Sequence, residues 1–258
     1  MPATYLDAIL DHHRRRAVED RRSADQLMER VADLDGTRGF TRSLSSAGHL
    51  AVIAEIKRRS PSKGDLNAEL DPTEMARTYE RGGASCLSVL TDEPHFGGSI
   101  DDLQTARAAC QLPVIRKDFT VSELDVVDTR MIGADCVLLI AAALDRHQLR
   151  GFHQLATEIG LDALVEIHDE AELEMALDAE ATLIGVNQRD LVTFEVDHDR
   201  AVRMAGVIGD HAVKVAESGV RGGDDARSLE RAGYQAVLVG ETLVTSGDPA
   251  ESIAELIG

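Results

Sequence analysis

From residue 49 onward, short apolar runs alternate with segments whose apolar residues return every three or four positions. The runs are 51–57, 85–90, 113–117, 135–141, 162–167, 182–187, 212–217 and 236–240. Their length and flanks fit buried strands. The segments between and after them, 72–82, 99–109, 122–133, 145–159, 169–179, 197–206, 222–233 and 248–257, fit amphipathic helices. Pro72 follows Asp71, a good first helical position, and Gly83, Gly133, Gly160 and Gly233 fall near helix ends. Eight such strand–helix units predict an α/β protein, a single (β/α)8 TIM barrel over 49–258. An open doubly wound sheet would need G-x-G-x-x-G after its first strand, and none is present.

Before the barrel the period is helical. Residues 4–22 place Leu6, Ile9, Leu10, His13 and Ala17 on one side of a helix, with Arg14, Arg15 and Arg16 as a solvated face. Ser23 opens a Ser-x-x-Gln capping pattern ending at Gln26, and Leu27, Met28, Val31 and Leu34 continue at helical spacing. Residues 36–48 read as a Gly/Ser/Thr-rich connection. Residues 1–48 are therefore expected to form an N-terminal helical extension packed on the barrel.

Composition narrows the classes. The chain has 258 residues and 43% hydrophobic content, enough for a sizeable core. It has no apolar run of spanning length and no signal-peptide pattern at Met1–Asp7. Cys86, Cys110 and Cys136 are too far apart in sequence to form a zinc motif and read as buried thiols, so a cytoplasmic protein without a metal is expected. The formal net charge of −19 disfavours nucleic-acid binding, which needs a basic footprint. There are 23 Arg but only four Lys: Lys57, Lys63, Lys117 and Lys214. Such an acidic, Lys-poor surface suggests a source adapted to high salt, where charge repulsion is screened.

The candidate chemistry lies at the strand ends, where barrels of this type place their sites. Glu55 and Lys57 end the first run, Lys117 the third, Glu166 the fifth, Asn187 the sixth and Glu217 the seventh. A buried charge is costly unless it is paired or used, and six polar residues converging at one mouth point to a site rather than to separate ion pairs. Lys214 falls on the opposite face of its strand from Glu217 and reads as structural. His168, two residues past Glu166, reads as a capping or loop residue. Glycine-rich stretches after the last two runs, Glu217–Gly223 and Gly240–Thr242, suit a phosphate. Lysines, carboxylates and a phosphate cradle together suggest acid–base chemistry on a small sugar phosphate.

These residues resemble a known family. Ala54-Glu55-Ile56-Lys57-Arg58-Arg59-Ser60-Pro61-Ser62, Arg116-Lys117-Asp118-Phe119, Leu164-Val165-Glu166-Ile167-His168, Gly185-Val186-Asn187-Gln188-Arg189-Asp190-Leu191 and Ala216-Glu217-Ser218-Gly219 are similar, in that order, to the motifs of indole-3-glycerol phosphate synthases. The resemblance spans essentially the whole chain. It implies cofactor-free ring closure of 1-(2-carboxyphenylamino)-1-deoxyribulose 5-phosphate with loss of CO2 and water. It implies Lys117 as general acid and Glu166 as base, and Lys57 on the substrate carboxylate, with either lysine able to serve a given proton step. Glu55, Asn187 and Glu217 would orient the lysines and sugar hydroxyls, and Arg189 would face the anthranilate carboxylate. Phe96, Phe119 and Leu138 would line the aromatic slot. Ser218, Gly219, Gly240 and Glu241 would offer N–H groups to the phosphate, with Lys57 or Ser60 nearby. A carboxylate at Glu241 is an unusual neighbour for a phosphate, so its side chain is expected to point away. The segment from Arg58 towards Asp71 is expected to be a mobile flap, with Arg58, Arg59 and Lys63 either steering the substrate or solvated.

Expected partners are a small anionic sugar phosphate, no nucleic acid and no membrane. The chain is expected to be monomeric, with association with other tryptophan-pathway enzymes left open. The competing readings are another phosphate-binding barrel isomerase or epimerase, which would want a Cys–Asp or Asp–Asp pair at the strand ends, and a non-catalytic subunit, which would lack Lys117 or Glu166.

Overall fold

Eight parallel strands close into a barrel: β1 (Ala51–Ile56), β4 (Cys86–Leu90), β5 (Val114–Lys117), β6 (Cys136–Ile140), β7 (Asp162–Ile167), β8 (Leu183–Asn187), β9 (Val213–Glu217) and β10 (Ala236–Val239). Each pairs with its sequence neighbours, and β10 returns to β1. The strands are buried on both faces and rich in Val, Ile, Leu and Ala, as a parallel sheet covered by helices requires. The computed structural model describes residues 4–61, 63–190 and 192–258. Met1–Ala3 and two motif residues, Ser62 and Leu191, lie outside the described residues.

The outer layer is α4 (Pro72–Arg81), α6 (Ile100–Ala109), α7 (Glu123–Met131), α8 (Arg146–Glu158), α9 (Glu170–Asp178), α10 (His198–Ile208), α11 (Gly223–Arg231) and α13 (Pro249–Ile257). Two short turns, α5 (Glu93–Phe96) and α12 (Glu241–Val244), interrupt the loops after β4 and β10. Asp71, Asp92, Asp145, Asp169, Asp197 and Asp248 each cap a helix N-terminus through the side chain. Part of the strong acidity is thus local: carboxylates satisfy free N–H groups and suit the positive end of the helix dipole.

Three helices precede the barrel: α1 (Tyr5–Glu19), α2 (Ala24–Ala32) and α3 (Phe40–Ser45). Ile9, Leu10 and His13 of α1 are buried as the period predicts. Arg14 and Arg16 are not merely a solvated face. Arg14 donates to Ala143 O (3.0 Å), and Arg16 pairs with Asp125 (2.9 Å), tying α1 to the barrel. Ser23 caps α2 by accepting from the Gln26 N–H, and Leu34 lies past the end of that helix.

The connection expected at 36–48 contains a helix after all. In α3, Phe40 and Leu44 are fully buried among β1, β4 and β9. The Thr41 N–H donates to Asp162, and the Ser43 hydroxyl donates to Ser85 O (2.8 Å). Ser85 and Asp162 stand at the N-terminal ends of strands, so α3 closes the bottom of the barrel. Its sequence hid it because it is short and starts on Gly39 in the left-handed region (φ 76°), with no capping side chain.

Candidate active site

The mouth at the strands' C-terminal ends holds a cavity of about 960 Å³, open space included. Its wall brings together Glu55, Lys57, Ser60, Phe96, Lys117, Phe119, Leu138, Glu166, Asn187, Arg189, Glu217, Ser218 and Glu241, all expected from the sequence. Gly219 and Gly240 do not line it. Gly219 (φ 78°) packs its α-carbon towards Val196 and His198. Gly240 leaves room for Glu55, since a Cβ there would sit 2.3 Å from Glu55 Oε1.

Strand alternation sets the inward side chains. Ile115 and Lys117 face the barrel interior, while Arg116 turns outward to pair with Asp118 (2.8 Å). Lys214 turns outward likewise and donates to Gly209 O (2.7 Å) at the C-cap of α10, the structural role expected of it. Register then levels the inward groups. Asn187 stands opposite Glu217, Glu166 opposite Gly185, and Glu55 opposite Ser88.

Two ammonium–carboxylate groupings result. The Lys117 ammonium lies 3.0 Å from Glu166 Oε2 and 3.5 Å from Glu217 Oε2. The Asn187 amide donates to Glu166 Oε1 (2.9 Å), and the Arg189 N–H donates to Asn187 Oδ1 (3.0 Å). The Lys57 ammonium lies 2.5 Å from Glu55 Oε1. Burial works against the Lys117 charge, yet Glu166, Glu217 and Glu55 more than compensate and raise its pKa. Burial also opposes ionisation of Glu166, but Lys117, His168 and the Asn187 amide hold its pKa down. Burial and the nearby charge of Glu166 push the Glu217 pKa up, with Lys117 opposing. Glu217 Oε1 is buried without a hydrogen bond among the described residues. The site thus pairs an ionised carboxylate with one inclined to keep its proton, on either side of one ammonium.

The apolar side of the cavity is larger than expected. Leu90, Ile140, Phe194 and Leu238 join Phe96, Phe119 and Leu138. Leu238 and Ile140 could have been found by strand alternation. Phe194 could not, because it sits in a loop at φ 61°. Its ring meets Tyr5 of α1 edge-on at 5.5 Å, so the N-terminal extension reaches the cavity rim.

The loop after β1 is pinned. It forms a hairpin of β2 (Arg59–Ser60) and β3 (Gly64–Asp65). Arg58 pairs with Asp102 through two hydrogen bonds (3.0 and 2.9 Å) and donates to Ala68 O and Leu70 O. Arg59 donates to Pro94 O (2.7 Å) and His95 O (3.2 Å). Both arginines are more than solvated loop residues, because they tie the hairpin down. Glu241 does not point away from the cavity. Its carboxylate lies 3.5 Å from Lys63 and 4.0 Å from Arg189 at the mouth.

A buried polar cluster behind Phe119 escaped sequence reasoning. His13 Nε2 donates to Asp92 (2.9 Å) and lies 3.8 Å from Asp118. These three are close enough to hold a metal, but Asp118 already pairs with Arg116 and Asp92 caps α5. His13 Nδ1 is buried without a hydrogen bond among the described residues. No helix among the described residues is long and apolar enough to cross a membrane.

Comparison with known proteins decides the family. Residues 6–256 match the family profile described as indole-3-glycerol phosphate synthase. The chain belongs to the indole-3-glycerol phosphate synthase family. It is 50% identical to indole-3-glycerol phosphate synthase 2 of Streptomyces coelicolor over 95% of this chain and 93% of that one. Identity to the synthase of a Nocardioides species is 50%, over 93% of this chain and 92% of that one. Identity to the synthase of Mycolicibacterium vanbaalenii is 46%, over 99% of this chain and 94% of that one. Among solved structures, 3-hexulose-6-phosphate synthase aligns with a TM-score of 0.60 at 14% identity, over 80% of this chain and 98% of that one. Thiamine phosphate pyrophosphorylase from Pyrococcus furiosus aligns with 0.59 at 15%, over 80% and 93%. At such identities the likeness concerns the barrel alone.

The synthase is a carboxy-lyase of tryptophan biosynthesis. It converts 1-(2-carboxyphenylamino)-1-deoxyribulose 5-phosphate, a phosphorylated small molecule, to indole-3-glycerol phosphate with loss of CO2 and water. The expectation of a salt-adapted source is not borne out by these relatives. The helix caps and arginine pairs described above account for part of the acidity instead.

Proposed function

We propose that this synthase closes its ring with Lys117 as general acid and Glu166 as base. The observation that carries the reading is the Lys117 ammonium held between Glu166 (3.0 Å) and Glu217 (3.5 Å) at the floor of an aromatic-walled mouth. The aromatic carbon bearing the carboxylate attacks the ribulose carbonyl, and the forming alkoxide takes a proton from Lys117. Loss of CO2 restores the aromatic ring. Glu166 withdraws one proton from the ring-closed intermediate and hands it to Lys117, which gives it to the new hydroxyl as that leaves as water. Lys117 and Glu166 are in direct contact, so a proton recovered by the base can return to the acid.

Glu55 fixes Lys57, which holds the substrate carboxylate. Asn187 fixes Glu166, and Glu217, inclined to keep its proton, offers a hydrogen bond to a sugar hydroxyl. Phe96, Phe119 and Leu138 take the aromatic ring, and Arg189 faces the anthranilate carboxylate. Ser60, Ser218 and Glu241 form the phosphate end, and Gly219 and Gly240, which do not line the cavity, shape the loops beside it. Lys63, 3.5 Å from the Glu241 carboxylate, supports this by bringing a cation to that end. The division at 48/49 into a docked extension and a barrel is supported by the Arg16–Asp125 and Tyr5–Phe194 contacts. A cytoplasmic monomer, alone or beside other tryptophan-pathway enzymes, fits this reading.

The test is direct. The chain has no Trp, so the indole fluorescence of the product is read against a dark protein. Single-turnover formation of indole by Glu166→Gln and Lys117→Ala at saturating substrate reports the chemical steps. Wild-type rates in either variant overturn the assignment.

A further inference from the structure

The reaction leaves a proton deficit. The substrate enters with its carboxylate ionised, and CO2 carries no proton away. Two protons go to the former carbonyl oxygen, which departs as water, and one is recovered from the ring-closed intermediate. Each turnover therefore draws one proton from solvent into a mouth that substrate fills. Lys117 and Glu166 can exchange the recovered proton but cannot make up the missing one.

His168 stands where that proton can enter. It follows β7 directly, and its ring Nε2 lies 3.8 Å from Glu166 Oε1, the oxygen turned away from Lys117. Nε2 is buried and makes no hydrogen bond among the described residues. The opposite ring nitrogen, Nδ1, lies 3.0 Å from Glu172 of α9, and the same carboxylate accepts the His168 backbone N–H at 2.7 Å. The capping role expected of His168 therefore belongs to its backbone, and it leaves the ring fixed with Nε2 aimed at the base. The side chains of His168 and Glu172 keep 12% and 18% exposure, whereas that of Glu166 keeps 1%, so the ring is less deeply buried than the base it faces.

We infer that His168 is the proton-return residue of this synthase, acting through Glu166. The inference rests on the reading of Glu166 as base. After the second protonation, Lys117 is a neutral amine. The Nε2–H bond of the His168 imidazolium breaks, its electron pair stays on nitrogen, and an O–H bond forms on Glu166 Oε1. The carboxyl group then turns so that this same O–H faces Lys117, the O–H bond breaks with its electron pair left on oxygen, and an N–H bond forms on Lys117. The neutral imidazole keeps its Nδ1–H on Glu172 and regains a proton at Nε2 from solvent when product leaves. The groups facing His168 suit a cationic ring. Burial works against the charge, but the Glu172 hydrogen bond and the charges of Glu166 and Glu172 outweigh both burial and Arg200 of α10, so its pKa is raised. The 3.8 Å gap is just beyond hydrogen-bond reach, as such contacts often are before substrate binds.

The test separates first from later turnovers. In His168→Gln, indole formation in a single turnover should stay within twofold of wild type, which also shows that the site is folded. Steady-state kcat should fall about tenfold and KM with it, leaving kcat/KM near wild type and giving a burst, and added imidazole should restore the steady-state rate. Wild-type kcat should fall as pH rises through the His168 pKa, and that limb should vanish in His168→Gln. A variant with wild-type steady-state kcat, or one slowed equally in its first and later turnovers, overturns the inference. Glu166→Gln keeps the two claims apart. A slow single turnover there beside a normal steady state in His168→Gln removes only the proton return, whereas a normal single turnover in Glu166→Gln removes the base itself.

Discussion

Gly185 is a small residue with a large predicted consequence. It sits in β8 opposite Glu166, and its φ is not in the left-handed region, so alanine is acceptable to the backbone. The space is the obstacle. A Cβ at Gly185 would lie 2.0 Å from Glu217 Oε1, 3.1 Å from its carboxyl carbon and 3.2 Å from Leu164 Cδ1. To reach even a tight contact the Glu217 carboxylate must retreat by about 1 Å, and it is already buried against Lys117. Overpacking of this kind costs about 1–3 kcal/mol. In a chain of this size each kcal/mol lowers Tm by roughly 2–4 °C. A displacement of about 1 Å in a positioned group costs on the order of 10²-fold in rate. Gly185→Ala is therefore expected to lower kcat by about that factor, read from indole fluorescence, and to lower Tm in a thermal melt. Gly151→Ala in α8 is the control, since nothing lies within 4 Å of its Cβ and alanine favours a helix by about 1 kcal/mol. A Gly185→Ala enzyme with kcat within threefold of wild type and an unchanged Tm would refute the steric argument.

Lys117→Ala and Glu166→Gln should each lower kcat by about 10²-fold or more, the usual scale for an acid or base, measured at saturating substrate. Lys57→Ala should raise KM as well, because it removes binding common to ground and transition states; an unchanged KM in a steady-state titration would contradict that role. Phe40→Ala, far from the mouth, should cost about 3–5 kcal/mol in denaturant melts while kcat stays near wild type. Asp92 gives a pH test. Burial opposes its charge, but His13, His95 and a backbone N–H hold its pKa well below the usual range, to about 2. A depressed folded-state pKa contributes stability that is present above the unfolded value and lost as pH falls through the folded one. The stability gap between wild type and Asp92→Asn should therefore narrow as pH drops from about 4 towards 2, and a gap that is constant with pH would disprove the linkage.

The barrel was legible because its eight strands carry their own evidence: short β-branched runs, each followed by a helix with its own stop and start residues. The observed strand limits fall within a residue or so of the apolar runs. The site was nearly as legible, since charges such as Lys117, Glu166 and Glu217 at the ends of buried strands contradict their surroundings unless they meet. What stayed hidden involved contacts between residues far apart in sequence. A six-residue helix without a capping side chain, α3, is held only by the barrel floor it closes. Arg58 finds Asp102 and Arg59 finds Pro94 and His95, partners that no local pattern could name.

By itself the sequence determined the order of elements, the inward phase of each strand and the chemical types gathered at the mouth, because periodicity and cost of burial act residue by residue. Only the tertiary structure decided which pairs form. Lys117 chose Glu166 and Glu217, Lys57 chose Glu55, and the ring of His168 came to face Glu166. Strand register around a closed barrel sets those distances, and register is a property of neighbouring strands together.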